Sequence, residues 1–188
     1  MRRFDEENSR DPNLEVQGGA VPYPRELLYA QRLTDWVLRL EPGASEELRL
    51  AARSQHLCRW LIPRETHPMT RAGYLKWRQS LKEFHARKAG EILVEAGYPA
   101  ETIARVQALN LKQNLATDRE VQVLEDALCL VFLEHQLGPL MEKMPEDKVI
   151  GALQKSWKKM SPRAREIASG LEMAPRKKAL VGRALAGS

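Results

Sequence analysis

Apolar residues recur at helical spacing along nearly the whole chain after residue 24, and this pattern limits the possible folds more than any other feature. In the first such segment they are Leu27, Leu28, Leu33, Trp36, Val37 and Leu40. Positions three and four residues apart share one face of an α-helix, so each segment predicts a helix with one buried face. Sustained alternation typical of strands is missing, as are the hairpin dipeptides Asn-Gly and Asp-Gly. The sequence therefore predicts an all-α protein.

Capping residues, prolines and glycines mark where these helices begin and end. The side chains expected to cap helix N-termini are Ser45, Thr70, Asp118 and Ser161. The helix that follows Ser45 should run to about Ile62, because Pro63 excludes the α conformation from the residue before it. The helix after Thr70 should end at Gly97, since glycine readily adopts the left-handed conformation. Further helices are expected at residues 25–40, 99–111, 146–159, 161–169 and 175–186.

Length and composition indicate a single domain of ordinary size. With 188 residues, 43% of them hydrophobic, the chain can bury a substantial core. Residues 1–22 are polar, contain Gly18-Gly19 and show no period, so we interpret them as a flexible N-terminal tail. Residues 23–188 are then expected to form one helical domain.

Composition also constrains where the protein resides. No apolar run approaches the roughly 18 residues that span a bilayer, and the N-terminus lacks the apolar stretch of a secretory signal. The two cysteines, Cys58 and Cys129, fall inside helical apolar patterns, which suits buried thiols in a reducing compartment. We therefore expect a cytoplasmic protein with no membrane partner.

The net charge of +5 conceals two basic blocks. Residues 49–88 hold ten Lys or Arg and two acids, and residues 155–188 hold nine Lys or Arg and two acids. Segregated positive charge predicts an anionic partner, although Lys and Arg also solvate exposed helix faces. We interpret the Lys and Arg residues of the C-terminal block as side chains that solvate exposed helix faces. Histidines and aromatic residues interleave with the central block and favour a binding role there.

Three groups of polar residues lie within otherwise apolar helices. One face of the predicted second helix carries Arg49, Arg53, His56 and Trp60. Their spacings of four, three and four residues place them one helical turn apart. The long helix carries Tyr74, Trp77, Arg78, His85 and Lys88. The third group is the pair Glu125-Asp126, and two buried carboxylates need either structural partners or a metal.

The order of these groups resembles the HD-domain superfamily of helical, metal-dependent phosphohydrolases. That family carries a His on its first helix, a His-Asp dyad after an Ala-Ala pair, a His on the next helix and an Asp in a late apolar helix. Here Ala51-Ala52 precedes Gln55-His56 at the dyad. His85 lies in the next-helix region, and Asp126 matches the late aspartate. The first-helix position falls near residue 29, and the resemblance covers roughly residues 29–134.

Two positions depart from the HD pattern. Gln55 stands at the dyad histidine and cannot replace an imidazole as a strong ligand, and Tyr29 is a poor ligand for a divalent cation. Matching His56 to the dyad histidine instead places a leucine at the aspartate position. The resemblance implies a divalent-metal site with three ligands, namely His56, His85 and Asp126. The alternative is a metal-free core held by hydrogen bonds.

Along its whole length the chain also resembles an uncharacterised family, domain of unknown function 4202. The stretches that carry this resemblance are Leu28-Tyr29-Ala30-Gln31-Arg32, Ala51-Ala52-Arg53-Ser54-Gln55-His56, Gly73-Tyr74-Leu75-Lys76-Trp77-Arg78, Leu124-Glu125-Asp126 and Trp157-Lys158-Lys159-Met160-Ser161. The family implies no established reaction.

Together, the residues and the resemblance predict an HD-like hydrolase that acts on a phosphorylated small molecule or a nucleotide. The candidate catalytic residues are His56, Glu125 and Asp126, with Glu125 as a base. The candidate substrate-binding residues are Arg53, Gln55, Arg59, Arg64, Tyr74, Trp77, Arg78 and Lys88. Arginine suits phosphate because its planar fork binds two oxygens at once, and the aromatic rings could stack on a base.

Two other functions fit the same residues. A non-catalytic module that binds RNA or another anionic ligand would also use basic residues with Trp60, Tyr74 and Trp77 between them. A helical scaffold for a protein partner is the second alternative. The enzyme hypothesis requires the candidate ligands to converge in a pocket, whereas RNA binding requires a basic stripe that joins the two basic blocks.

Overall fold

The structure, a computed structural model, describes residues 1–16 and 21–186. Its helices are α1 (Arg2–Asn8), α2 (Arg25–Leu40), α3 (Glu46–Ser54), α4 (Arg71–Glu95), α5 (Ala100–Leu111), α6 (Arg119–Val131), α7 (Leu137–Lys143), α8 (Glu146–Lys159), α9 (Pro162–Ser169) and α10 (Pro175–Ala186). Strands β1 (Leu14–Glu15) and β2 (Tyr23–Pro24) pair antiparallel, with Leu14 opposite Pro24. Between α3 and α4 lie two short 3-10 helices, Arg59–Leu61 and Arg64–Thr66, and between α6 and α7 lies a π-helical turn, Phe132–Gln136. The prediction of an all-α protein is confirmed.

The described residues form two compact units. The N-terminal unit comprises residues 1–121 and the C-terminal unit residues 122–188. The boundary falls inside α6, so no proline, glycine or polar linker marks it in the sequence. A division within a helix leaves no compositional signal, and the single helical domain over residues 23–188 stays a prediction.

The four predicted helix N-caps are confirmed. In each case a side-chain oxygen accepts a hydrogen bond, 3.0–3.3 Å long, from a backbone N–H two or three residues further on. The capping residues are Ser45, Thr70, Asp118 and Ser161. Gly97 follows α4 with a φ of 77°, as expected of a residue that ends a helix in the left-handed conformation.

The core of the N-terminal unit forms where α2, α3, α4 and α5 pack on one another. Its fully buried side chains include Leu33, Val37, Leu48, Leu50, Leu93 and Leu109. Leu33 and Val37 lie on the face of α2 that the helical period assigned to the interior, so local pattern and tertiary packing agree in this helix.

A helix and a strand occupy much of the segment that we expected to be a flexible tail. Helix α1 buries Phe4, which is 1% exposed, and β1 pairs with β2. Phe4 is the only large apolar residue in α1, so no period marks this helix in the sequence. Gly18-Gly19, on which the expectation partly rested, lie outside the described residues.

Helix α3 ends at Ser54 instead of continuing to Ile62. The Ser54 hydroxyl donates to the Leu50 carbonyl, 2.9 Å away, and a turn follows in which Cys58 adopts a φ of 53°. That left-handed conformation is uncommon for residues other than glycine. The Cys58 N–H donates to the side-chain oxygen of Asn8, 3.0 Å away, which ties the turn to α1.

The early end of α3 changes where the following residues lie. Arg53 is in the last turn of the helix, His56 is in the turn and Trp60 is in the 3-10 helix. The prediction that these residues share one helix face with Arg49 is therefore wrong. The turn that follows α3 is hydrogen-bonded to a distant part of the chain, and local spacing does not encode such a contact.

In the C-terminal unit, α8 packs against α7 and α10. The buried residues of these helices include Leu137, Val149, Leu153 and Leu180. Within the described residues, no helix combines the length and the apolar character needed to cross a membrane.

Candidate functional site

A largely buried group of polar side chains lies in the N-terminal unit, and we call it the histidine cluster. It consists of Glu26, Tyr29, His56, Arg59 and His85. The Tyr29 ring stacks on the His56 imidazole with 3.9 Å between centroids and 8° between planes. The His85 imidazole lies 5.8 Å from that of His56 at 42°. Two of the three predicted metal ligands, His56 and His85, are thus neighbours, and Tyr29 lies beside them.

Glu26 is the member of the cluster that sequence analysis missed. Its side chain is 3% exposed, and its Oε2 lies 3.1 Å from Nδ1 of His56. Its Oε1 lies 3.5 Å from a terminal nitrogen of Arg25 and 3.7 Å from one of Arg59. An acidic residue in the first turn of a helix is ordinary, because it complements the helix dipole, so nothing in the sequence marked it as buried.

Burial sets the protonation of the cluster. Desolvation lowers the pKa of His56 well below its usual value, and the positive charges of Arg59 and Arg78 lower it further. Desolvation likewise lowers the pKa of His85, with His56 and Arg59 adding to the effect. Burial raises the pKa of Glu26, against the opposing effect of Arg59. Both imidazoles are therefore neutral at neutral pH.

The geometry selects one tautomer of His56. A neutral imidazole with its proton on Nδ1 donates to the Glu26 carboxylate at the observed 3.1 Å. Its Nε2 then carries a lone pair and acts as an acceptor. Nearby, Nε2 of His85 and Nε of Arg59 are buried and lack a hydrogen-bond partner among the described residues. Buried polar atoms without partners are rare in proteins, so these two atoms are candidate contacts for a ligand.

Arg59 also lines a cleft of about 480 Å³ in the same unit. Three arginines and two tryptophans line this cleft, namely Arg25, Arg59, Arg64, Trp60 and Trp77. The Arg59 and Arg64 guanidinium groups lie 5.1 Å and 5.8 Å from the Trp77 ring. The Trp77 indole N–H donates to the Ile62 carbonyl, 3.0 Å away, which fixes the ring. The cleft therefore combines positively charged arginine side chains with the flat apolar surfaces of tryptophan rings.

Several of the predicted substrate-binding residues come together at or beside this cleft. Arg59, Arg64 and Trp77 line it, and the half-exposed Tyr74 ring lies 5.9 Å from the Arg64 guanidinium. Arg64 also holds the loop that precedes α4, because it donates to the carbonyls of His67, Pro68 and Thr70 at 2.9, 2.8 and 3.3 Å. Arg78 contributes positive charge to the histidine cluster.

The other predicted binding residues do not line the cleft. Arg53 forms two hydrogen bonds with the Asp5 carboxylate, at 2.6 and 2.9 Å. Lys88 lies 3.9 Å from a carboxylate oxygen of Glu7. Gln55 is buried, and its amide nitrogen lies 3.4 Å from the Asn110 carbonyl. The N-terminal segment thus engages Arg53 and Lys88, which sequence analysis had assigned to phosphate.

The predicted catalytic carboxylates of the C-terminal unit have partners within that unit. Asp126 accepts hydrogen bonds from the backbone N–H and the hydroxyl of Ser161, at 2.8 and 2.5 Å, and so holds the start of α9. Glu125 lies 3.0 Å from the Lys159 ammonium. Both contacts match the alternative in which these two carboxylates have structural partners and not a metal. Over residues 1–16 and 21–186 no three His, Cys, Asp or Glu side chains are arranged to hold a metal ion, and the three-ligand site stays a prediction.

The lowered pKa values of His56 and His85 predict acid sensitivity of the fold. Between their folded pKa values and the ordinary 6.5, the unfolded chain binds more protons, so the free energy of unfolding falls as pH falls through that window. Each histidine contributes up to about 1.4 kcal/mol per pH unit. The raised pKa of Glu26 acts in the opposite direction and offsets part of this loss at lower pH. Urea unfolding between about pH 7.5 and 5.5 measures the slope.

The control for this measurement is the double variant H56Q/H85Q, which lacks both titrating imidazoles. Its free energy of unfolding should change much less over the same range. A wild-type slope near zero, or an equal slope in the double variant, would contradict the assignment of neutral, buried histidines.

Comparison with known proteins identifies the family of this chain. Searches of the curated proteins and of the solved structures found no match. The profile of the family described as Domain of unknown function (DUF4202) matches residues 1–181, from α1 into α10, a range that contains the whole histidine cluster and the cleft. The chain therefore belongs to the DUF4202 family.

Proposed function

We propose that the protein is an HD-like hydrolase of a phosphorylated small molecule, in which His56 is the general base and Arg59 binds the phosphoryl group. The observation that carries this proposal is the pair of Glu26 and His56, 3.1 Å apart, beside an arginine that also lines the cleft. A carboxylate that orients an imidazole, together with a nearby cation for the substrate, is a recurring arrangement for hydrolysis.

The protonation states of the cluster determine which group takes up each proton during the reaction. His56 Nε2 takes a proton from a water molecule as the water oxygen forms a bond to phosphorus. The ester bond between phosphorus and the leaving oxygen breaks, and the leaving oxygen takes a proton from solvent. Glu26 accepts the Nδ1–H hydrogen bond throughout and stabilises the imidazolium, which then releases its proton to solvent.

An excess of positive charge around the cluster supports an anionic substrate. Arg25, Arg59 and Arg78 all act on the cluster, and the Glu26 carboxylate opposes them while both histidines are neutral. Arg59 is largely buried, and burial lowers its pKa, while the Glu26 carboxylate 3.7 Å away offsets part of the cost of its charge. A phosphoryl group would add further negative charge and would supply acceptors for the unpartnered Arg59 Nε.

Chain order also supports the HD-like part of the proposal. In the resemblance, residue 29 stands at the first-helix position, His56 at the dyad and His85 on the next helix. The His56 ring lies against the Tyr29 ring and 5.8 Å from the His85 ring, so these positions are close together, as a shared site requires. Contact among residues so far apart in sequence is a stronger argument than the motif itself, whose dyad is incomplete.

Metal dependence gives the sharpest test of how such a site works. The described residues offer no group of three metal ligands, so the steps above use hydrogen bonding and charge. We expect turnover of a phosphorylated substrate to survive treatment with EDTA, as measured by phosphate release before and after dialysis. Loss of turnover with EDTA and its return with a divalent transition metal would instead establish the site predicted from His56, His85 and Asp126.

A screen of phosphorylated metabolites tests the function directly. Nucleotides and sugar phosphates are incubated with the full chain, and released phosphate is measured. Turnover of one class is the expected result. The Arg and Trp side chains in the cleft also suit single-stranded RNA, whose bases stack on aromatic rings. Tight, strongly salt-dependent RNA binding without any phosphate release would favour that non-catalytic alternative.

A further inference from the structure

We infer that Asn8 and Asp11, in the segment before α2, are positioning residues that hold Arg59 and Glu26 in the site. The catalytic consequence of this inference rests on the proposed function, but the positioning itself does not. Both side chains are buried and polar, and both are hydrogen-bonded to the backbone of elements that carry the site. Neither residue belongs to any motif of the chain.

Asp11 caps the helix that carries Glu26. Its Oδ2 accepts the Glu26 backbone N–H, 2.9 Å away, although the two residues are 15 positions apart. Helix α2 begins after Pro24, which has no side-chain cap to offer, so the cap comes from Asp11. The other oxygen, Oδ1, accepts the backbone N–H and the side-chain amide of Asn13, each at 2.9 Å, and Asn13 lines the cleft. One carboxylate thus fixes both Glu26 and a wall of the cleft.

Asn8 holds the turn that carries His56 and Arg59. Its side-chain oxygen accepts the Cys58 N–H at 3.0 Å, and Cys58 is the residue in the left-handed conformation. Arg59 follows directly, so the direction in which its side chain leaves the backbone depends on this turn. Because L-residues seldom adopt a positive φ, an external acceptor at this position favours the required conformation.

The rest of the segment is anchored independently of these contacts. Phe4 is buried in the core, and Asp5 forms two hydrogen bonds with Arg53. Substitution of Asp11 or Asn8 should therefore leave α1 docked while releasing Glu26 or Arg59. This separation of anchoring from positioning makes the inference testable by single substitutions in the full chain.

The decisive experiment is nitrogen-15 NMR of the histidine side chains in the wild type and in D11A. The wild type should show His56 as the Nδ1–H tautomer, held by Glu26. In D11A we expect a mixture of tautomers, because the Glu26 carboxylate loses its fixed position. With a substrate from the metabolite screen, kcat should fall about tenfold to a hundredfold in D11A, the usual effect of a small misplacement of a catalytic group.

The matched control is S45A, which removes another helix N-cap of the same unit, at the start of α3. It should lower the thermal midpoint to a similar extent as D11A while leaving the His56 tautomer and kcat unchanged. If D11A fails to fold, D11N serves in its place, since its one remaining acceptor oxygen can satisfy Glu26 or Asn13 but not both. N8A, titrated with inorganic phosphate, should bind it several-fold more weakly than the wild type.

The outcomes separate the two proposals. The positioning inference would be overturned if D11A and D11N kept the wild-type tautomer and kcat and if N8A kept the wild-type affinity for phosphate. If the wild type turns over none of the screened compounds, the proposed function fails, whereas the tautomer comparison still decides whether Asp11 positions Glu26. A tautomer change in S45A equal to that in D11A would show a general loss of stability and would also overturn the inference.

Discussion

Replacement of His56 by glutamine is expected to lower kcat by about 10²- to 10⁴-fold while the fold is retained. The range is what a positioned general base contributes to a proton transfer. Glutamine has a similar size and can still donate a hydrogen bond to Glu26, so the buried contact at 3.1 Å keeps a partner. It cannot take a proton from water at neutral pH. KM should change little, because the arginines of the cleft, and not His56, bind the phosphoryl group.

The measurement compares H56Q with H67Q on the same substrate. His67 hydrogen-bonds to the hydroxyls of Thr66 and Ser80 and lies outside the histidine cluster. H67Q should therefore keep a kcat close to that of the wild type. Circular dichroism and thermal unfolding of both variants verify the fold. A kcat for H56Q within a factor of a few of the wild type would exclude His56 as the base.

Local forces explain which parts of the fold could be predicted from the sequence. Helical period, capping side chains and helix-ending glycine act over four residues or fewer. Accordingly Ser45, Thr70, Asp118 and Ser161 cap helices as predicted, and Gly97 ends α4 in the left-handed conformation. Where the chain obeys these rules, the elements follow from the sequence alone.

Contacts between distant residues explain what could not be predicted. The turn after α3 contains a hydrogen bond between Asn8 and Cys58, 50 residues apart, and the helix ends before the predicted face is complete. Arg53, which was predicted to bind phosphate, likewise pairs with Asp5, 48 residues away, and does not line the cleft. No spacing rule contains such pairs, because they arise only once the helices have packed.

In the candidate site, too, one contact was expected from the sequence and another was not. The proximity of His56 and His85 was expected from the resemblance to the HD superfamily, and their rings lie 5.8 Å apart. Glu26 was not, because an acidic residue in a first helical turn is ordinary and its burial results from the packing of α2 on its neighbours. A buried polar group in such a position became informative only with the structure.

Replacement of Arg59 by methionine is expected to weaken the binding of inorganic phosphate by about tenfold to a hundredfold. A hydrogen bond to a charged group contributes about 1.5–3 kcal/mol, and each 1.4 kcal/mol corresponds to a factor of ten in affinity. Isothermal titration calorimetry at low, fixed ionic strength measures the change, since salt screens such contacts. R59K should fall between R59M and the wild type, because it keeps the charge but loses the planar fork.

The same substitution should lower the stability of the fold, because the buried Glu26 carboxylate loses the Arg59 guanidinium that lies 3.7 Å away. Part of this loss is offset, because burial lowers the pKa of Arg59, its Nε lacks a partner among the described residues, and methionine has a similar length without these costs. R87M is the control, since Arg87 on α4 is 62% exposed and pairs with Glu91. It should alter neither phosphate affinity nor stability. A large loss of stability in R59M with unchanged phosphate affinity would show that Arg59 serves the fold instead. Weaker phosphate binding in a variant that remains folded would identify Arg59 as a residue that binds the ligand.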